Sequence, residues 1–141
     1  MPSSTLLKVI LRFGGALLCS AAVAVVLPRE AMVAANAWLG LAPFPDAPLT
    51  FYLARVTSAL YAVHGCVLFL ASTDPVRHRP LILLLGGTNV LLGVALLGIG
   101  LSAGMPGWWT LAEGPTVIVI GLVLLGLAAP LGQVGSGSPK S

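Results

Sequence analysis

Residues 49–72 read LTFYLARVTSALYAVHGCVLFLAS, an apolar stretch that carries Arg55, Tyr61 and His64 within its length. A helix of this length extends about 36 Å, which is enough to cross a bilayer. Ionisable groups are costly inside hydrocarbon, so Arg55, Tyr61 and His64 each need a partner, an escape to the interface or a function. The stretch therefore predicts a membrane-spanning helix that carries candidate functional residues.

The composition of the 141-residue chain indicates that lipid is its main solvent. Apolar residues make up 57% and charged residues 8%, whereas soluble domains carry about 25% charged residues. The net charge of +3 comes from seven basic and four acidic residues, which are too few and too dispersed for a nucleic-acid surface. We therefore expect an integral membrane protein with no nucleic-acid partner.

Three further apolar runs are long enough to cross a membrane. They cover residues 6–27, 81–103 and 110–129. Residues 29–40 are too short to cross, and their apolar positions recur at helical spacing, which predicts an interfacial helix between the first and second spans. The predicted fold class is an all-α integral membrane protein, a bundle of four transmembrane helices plus this short helix. Residues 1–130 form a single membrane domain in this interpretation, and residues 131–141 form a flexible Gly/Ser-rich tail.

The first span has an alternative interpretation as a secretory signal peptide. Lys8 and Arg12 provide a basic start, and the small residues at 20–24 resemble a cleavage site. The apolar stretch is long for a signal peptide, so a retained span is preferred. The two basic side chains can then reach back to the lipid headgroups.

Residues typical of helix ends mark several boundaries. Gly40 suits the C-terminal cap of the interfacial helix. Asp46 is a candidate N-cap for the second span. Thr110 and Glu113 fit a capping box at the start of the fourth span, although Pro115 suggests a start nearer Glu113.

Basic residues near the span ends indicate the orientation of the chain. One side of the membrane receives Lys8, Arg12, Arg77, Arg79 and Lys140. The other side receives Arg29 and Arg55, so an even number of spans places both termini in the cytoplasm. Tryptophans are enriched at membrane interfaces. The expected outer interface anchors are Trp38, Trp108 and Trp109.

Small residues predict where helices pack closely, because lipid provides no water-driven force between them. Glycines recur along the third span and its following turn, at Gly86, Gly93, Gly100 and Gly104. Asn89 falls on the same face and is expected to bond to another helix or, alternatively, to contact a ligand. A strip of Ala16, Ser20 and Ala24 offers a matching surface on the first span.

Arg55 and Glu113 lie at similar depths near the outer ends of their spans, which predicts an ion pair between them. The alternative is that both side chains reach separately to water. The pair is either structural, setting helix register, or the floor of an outward-facing pocket. Such a pocket would be rimmed by Tyr52, Trp108 and Trp109.

Tyr61 and His64 share one face of the second span, and Arg55 lies on the opposite side. Either face can meet the bundle centre. His64 is expected to make an interhelical hydrogen bond, and binding of a quinone or other flat apolar ligand is the alternative. The second histidine, His78, is in a loop, so a single chain cannot provide two membrane-embedded haem ligands.

Several kinds of chemistry lack a basis in the sequence. There is no Ser/His/Asp arrangement, phosphate-binding loop or zinc-ligand cluster. Cys19 and Cys66 are expected at unequal depths, about 20 Å and 9 Å from the inner face, which disfavours a bond between them. They are interpreted as buried, inert thiols. No catalytic residue, metal site or resident cofactor is therefore predicted, and catalysis is not expected.

Three segments support a resemblance to known proteins. They are residues 52–65 (YLARVTSALYAVHG), the loop with Asp74 and Arg77, and residues 104–115 (GMPGWWTLAEGP). With the four-span build, they resemble small bacterial four-helix membrane proteins of the DoxX-like kind. The resemblance implies a bacterial cytoplasmic membrane and an association with quinone or thiol redox systems. No catalytic residue is carried over from it.

Three functional hypotheses follow. The preferred one is a non-catalytic structural or accessory subunit of a larger membrane complex or of a homo-oligomer. It would pack through the His64 face or the glycine-rich face of the third span. The alternative is a ligand-binding or redox-accessory protein that holds a quinone or lipid near Tyr61 and His64, or near Arg55 and Glu113. A small transporter is the third, although the usual mid-membrane carboxylate is missing.

Overall fold

The regular secondary structure of the protein is helical in the part that the structure describes. A computed structural model describes residues 2–43 and 45–132, and within them every regular element is a helix. The α-helices are α1 (Pro2–Ser20), α2 (Ala22–Val26), α3 (Arg29–Trp38), α4 (Pro48–Thr73), α5 (Arg79–Ser102) and α6 (Gly107–Ala128). A 3₁₀ helix, Ala129–Gly132, follows α6. The predicted tail begins inside this element, and residues 133–141 lie outside the described residues.

Four helical segments, two of which combine consecutive helices, are long and apolar enough to cross a membrane. They are Ser4–Val26, Pro48–Thr73, Arg79–Ser102 and Gly107–Leu131. The predicted fold class is confirmed: the protein is an all-α integral membrane protein with four spanning segments and a short helix, α3, between the first two. The first span includes α1 and α2, which join at Ala21 through a tightened turn. There the Ala21 N–H bonds to the Leu18 carbonyl at 3.1 Å.

The short helix α3 ends in a glycine with a left-handed backbone. Gly40 has φ +68°, and the N–H of Leu41 reaches the Asn36 carbonyl at 3.3 Å. This is a Schellman motif, which satisfies carbonyls left open at a helix end. Gly104, with φ +67°, ends α5 in the same way. A Cβ at Gly104 would meet no atom within 4 Å, so Gly104 is a turn residue and not the packing residue that was predicted.

Neither of the predicted N-terminal caps is formed. α6 begins at Gly107, with Pro106 at the cap position and no side-chain cap bond. Thr110 therefore lies within the first turns, and its hydroxyl donates to the Pro106 carbonyl at 3.5 Å. Asp46 pairs instead with Arg29. A full positive charge competes for this carboxylate more strongly than a neutral backbone N–H does.

The chain divides into two compact units. The hairpin unit consists of Met1–Val9 and Ala71–Ser141, and the Arg55 unit consists of Ile10–Leu70. Both divisions fall inside continuous helices, α1 and α4. The interpretation of residues 1–130 as a single membrane domain stays a prediction.

In the hairpin unit, glycines of α5 and α6 face each other. A Cβ at Gly93 would lie 2.7 Å from the Gly114 carbonyl oxygen, and a Cβ at Gly86 would lie 3.0 Å from that of Gly121. The predicted glycine face of the third span therefore meets a second glycine pair, also seven residues apart, on the fourth span. Small residues let two backbones approach this closely in lipid. At Gly100 the partner is Thr110, whose Oγ1 would be 2.9 Å from an added Cβ.

At the open end of this hairpin, an arginine links the start of α5 to the end of α6. Arg79, the first residue of α5, donates from Nε to the Ala128 carbonyl at 3.0 Å and from Nη2 to the Ala129 carbonyl at 3.2 Å. The last carbonyls of a helix carry partial negative charge and lack helical partners, so a guanidinium stabilises them. Arg79 thus caps α6 and joins the two ends of the hairpin.

In the Arg55 unit, the first span packs on α4 through glycine and cysteine. A Cβ at Gly65 would lie 2.7 Å from both the Gly15 carbonyl oxygen and the Cys19 sulfur. The contact therefore uses Gly15 and Cys19, one position away from the strip predicted at Ala16, Ser20 and Ala24. Ala16 and Ser20 are exposed, and the Ser20 hydroxyl returns to its own helix at the Leu17 carbonyl. The first span therefore contacts α4 through the neighbouring register, because a glycine allows a closer approach than alanine or serine, and the predicted match of the strip to the third span stays a prediction.

Candidate functional site

Arg55 lies about 10 Å inside the start of α4, counted along the helix from Pro48. Its Nη2 donates to the Leu27 carbonyl at 3.2 Å. Leu27 follows α2 with an extended backbone, φ −64° and ψ 136°, and the next residue, Pro28, has no N–H. The chain leaves the helix at this point, so the Leu27 carbonyl is free to accept a hydrogen bond from a side chain.

The guanidinium of Arg55 is incompletely satisfied. A guanidinium carries five N–H donors, and only the bond to Leu27 is formed within the described residues. The Nε atom is buried and has no hydrogen-bond partner there. A buried donor without a partner costs about 1–3 kcal/mol, and more when the group is charged. Arg55 therefore needs acceptors beyond those that the described residues of its own unit provide.

The carboxylates of the Arg55 unit do not neutralise this charge. Asp46 forms an ion pair with Arg29, and Arg29 also lies over the ring of Phe51, 4.1 Å from the ring centroid. Glu30 lines a separate cavity beside Arg29, with a volume of about 610 Å³. The positive charge of Arg55 is consequently uncompensated within the described part of its unit.

Arg55 faces a cavity of about 420 Å³. This volume lies in the range typical of ligand pockets, about 300–1,000 Å³. Most of its wall is apolar or aromatic, and Arg55 is the charged group in it. The lining residues are Val25, Pro48, Phe51, Tyr52, Arg55, Val56 and Ala59. An apolar slot with one uncompensated cation fits an amphiphile whose head group accepts hydrogen bonds.

Glu113 has a partner within its own helix. Its carboxylate accepts a hydrogen bond from Trp109 Nε1 at 2.8 Å, across one turn of α6. Trp109 also packs edge-on against Trp108, with ring centroids 5.5 Å apart. Arg55 and Glu113 belong to different units and each has another partner, so the ion pair between them stays a prediction. So does the part of the predicted pocket rim formed by Trp108 and Trp109.

Tyr61 and His64 are not among the residues that line this cavity. His64 is half-buried on α4 and makes no hydrogen bond to a described residue. Tyr61, one turn earlier, is 39% exposed. Asn89 is 9% exposed and lies between Gly86 and Gly93, on the face of α5 that meets α6. Its expected bond to another helix is not formed among the described residues.

The two cysteines are adjacent, which corrects the prediction of unequal depths. Their sulfur atoms are 3.9 Å apart, and the Cys19 sulfur also donates to the Ala62 carbonyl at 3.6 Å. The depth estimate assumed that the two helices start level at the inner face. Their register is set instead by the contact between Gly15 and Gly65, which places Cys19 on α1 beside Cys66 on α4.

The predicted interface anchors differ in exposure. Trp38, at the end of α3, is 86% exposed and Trp108 is 53% exposed. Trp109 is half-buried, and its indole N–H donates to Glu113. Trp38 and Trp108 thus present large amphipathic rings that can sit at headgroup level.

Sequence reasoning missed two features of this site. One is the Leu27 carbonyl, although a proline directly after a helical run signals a carbonyl without a helical partner. The other is Phe51, which precedes Arg55 by one helical turn and lines both cavities. The i, i+4 spacing of an aromatic and an arginine was a usable signal that both would border one site.

Comparison of the chain with protein-family models, curated proteins and solved structures finds no significant match. The resemblance to DoxX-like proteins therefore stays a prediction. Within the described residues, no three His, Cys, Asp or Glu side chains are grouped as metal ligands would be.

Proposed function

We propose that this protein is an accessory membrane protein that binds an anionic amphiphile at the Arg55 cavity. The observation that supports the proposal is the uncompensated guanidinium facing an apolar cavity of about 420 Å³. An ionised group inside a membrane is retained when a partner stabilises it. The chemistry that satisfies Arg55 is an oxygen-rich, negatively charged head group.

The lining of the cavity fits this class of ligand. Pro48 begins α4 and lines the cavity, and Arg55 lies two helical turns further in. A lipid phosphate can reach the outer guanidinium nitrogens while acyl carbons contact Val25 and Val56. Guanidinium and phosphate match in geometry and charge, and together they form strong, short hydrogen bonds. A quinone offers neutral carbonyls to the same donors and is the second ligand to test.

The direct test is native mass spectrometry of the protein extracted gently from its own membrane. We expect the wild-type protein to retain a phosphate-bearing lipid and Arg55→Gln to lose it. Loss of charge-assisted hydrogen bonds of about 1.5–3 kcal/mol weakens binding roughly 10- to 150-fold. Arg12→Gln is the matched control, because it removes an equal charge from an exposed position in the first span.

The outcome of this experiment also identifies the ligand. A retained mass that matches a quinone would redirect the proposal to that ligand. Equal lipid retention by Arg55→Gln and Arg12→Gln would refute binding at Arg55. Arg55→Lys should bind more weakly than wild type, because an ammonium lacks the planar fork of donors.

The accessory role has its own support on the outer faces of the hairpin unit. A Cβ at Gly87, Gly98 or Gly126 would meet no atom within 4 Å. Gly87 and Gly98 are three helical turns apart on one face of α5. Exposed small residues allow another membrane helix to approach closely. We infer that this face packs against a partner protein or a second copy of the chain.

Crosslinking in native membranes tests that packing. Gly87→Leu and Gly98→Leu should abolish the crosslinked species without unfolding the hairpin, because both positions are open. Ile99→Leu, at an exposed position on another side of α5, is the control. Persistence of the same crosslinked species in the glycine variants would refute packing through this face. A transporter role has no comparable observation in its favour.

The proposed cellular setting is a bacterial cytoplasmic membrane with both termini in the cytoplasm. The support is the distribution of basic residues, with the Arg77 and Arg79 loop on the same side as Lys8 and Arg12. A reporter domain that functions only in the cytoplasm should be active when it is fused to either terminus. A reporter that functions only outside the cytoplasm at either terminus would refute this orientation.

A further inference from the structure

The two cysteines of the chain form a pair inside the membrane-spanning part of the Arg55 unit. Cys19 on α1 and Cys66 on α4 bring their sulfur atoms to 3.9 Å. They are free thiols, and they differ in access, since Cys66 is exposed and Cys19 is half-buried. An exposed side chain within a spanning helix faces the acyl chains, so Cys66 is open to lipid-soluble molecules.

The two helices pack closely beside the pair. At Gly65, next to Cys66, a Cβ would lie 2.8 Å from the Cys19 backbone nitrogen. Helices usually pack with their axes 8–10 Å apart, and a glycine contact this tight places them at the short end of the range. A disulfide needs an S–S distance of about 2.05 Å and Cα atoms about 4.4–6.8 Å apart. Rotation of the two side chains can provide the remaining approach between the sulfurs.

We propose that Cys19 and Cys66 are a redox-active pair that reduces lipid-phase hydroperoxides and closes to a disulfide between α1 and α4. Cys66 is the residue attacked first, because its sulfur is exposed to the lipid. Cys19 is the resolving residue, because its half-buried sulfur lies next to that of Cys66. The Ala62 carbonyl accepts the Cys19 S–H and holds this thiol beside its partner.

The reaction balances in two steps. In the first, the Cys66 sulfur attacks the hydroperoxide, an S–O bond forms, the O–O bond breaks, and the thiol proton passes to the leaving alkoxide. The products are a sulfenic acid on Cys66 and a lipid alcohol. In the second, the Cys19 sulfur attacks the sulfenic sulfur, an S–S bond forms and water leaves with the Cys19 proton. The hydroperoxide is reduced by two electrons and the two thiols are oxidised by two electrons.

The test uses the full-length protein in liposomes treated with a fatty-acid hydroperoxide. We expect the intact mass to fall by two hydrogen atoms and both thiols to disappear from maleimide labelling. A reductant should restore both. In Cys19→Ser, oxidation should stop at a sulfenic acid on Cys66 that a dimedone-type reagent traps.

A displaced cysteine provides the matched control. Leu60→Cys combined with Cys66→Ser keeps two thiols, with the second at a position that is 64% exposed in wild type and about 9 Å from Cys66 towards the start of α4. This protein should not form the internal disulfide. Persistent free thiols in treated wild type, a disulfide between two copies, or equal disulfide formation in the displaced control would each overturn the proposal.

Discussion

Replacing Gly93 by alanine should open the contact between α5 and α6. The added Cβ would lie 2.6 Å from Ile118 Cγ1, 2.7 Å from the Gly114 carbonyl oxygen and 2.8 Å from the Ile118 nitrogen. Non-bonded carbon contacts are optimal at roughly 3.5–4.0 Å. Two of the three atoms belong to the α6 backbone, so rotation of a side chain cannot relieve the overlap and the helices must separate.

The expected cost follows from how overpacked interiors behave. An inserted methyl group that displaces backbone costs about 1–3 kcal/mol. Separation also weakens the neighbouring contact between Gly86 and Gly121, seven residues earlier on α5 and seven residues later on α6. We expect Gly93→Ala to lose about 2 kcal/mol, near the middle of that range.

The measurement is reversible unfolding in mixed micelles with increasing SDS, followed by tryptophan fluorescence. Trp108 and Trp109 at the start of α6 report on the hairpin. Gly87→Ala is the control, because a Cβ there meets no atom within 4 Å, and its stability should change by less than about 0.5 kcal/mol. Equal effects of the two substitutions would refute the close contact as the source of hairpin stability.

Two further substitutions test the contacts that hold each unit. Gly65→Ala should destabilise the packing of the first span on α4 by about 1–3 kcal/mol, because its Cβ would lie 2.7 Å from the Gly15 carbonyl oxygen. An unchanged SDS midpoint would contradict this. Arg79→Gln should cost about 1–2 kcal/mol through the lost cap on the Ala128 carbonyl, and hydrogen exchange at the end of α6 should rise. Arg77→Gln is the control, because its exposed side chain makes no described contact, and equal exchange in the two variants would refute the cap.

The composition and periodicity of the sequence were sufficient for the architecture. Four apolar runs of membrane length appear as four helical segments, and their bounds lie within three residues of the predicted ones. Prolines and the two left-handed glycines mark the ends because their effects on the backbone are local. The seven-residue spacing of Gly86, Gly93 and Gly100 indicated the packing face of α5 for the same reason, since spacing along one helix determines which residues share a face.

The partner and register of each face required the tertiary structure. Nothing in the third span indicates whether its glycines meet the first or the fourth span, because several helices carry small residues at compatible spacing. The positions of Cys19 and Cys66 depend on how far α1 slides along α4, which the contact between Gly15 and Gly65 decides. The sequence by itself determined the spans and the faces, which depend on interactions within one segment. Only the tertiary structure decided the cysteine pair and the cavity at Arg55, because both depend on a contact between two segments.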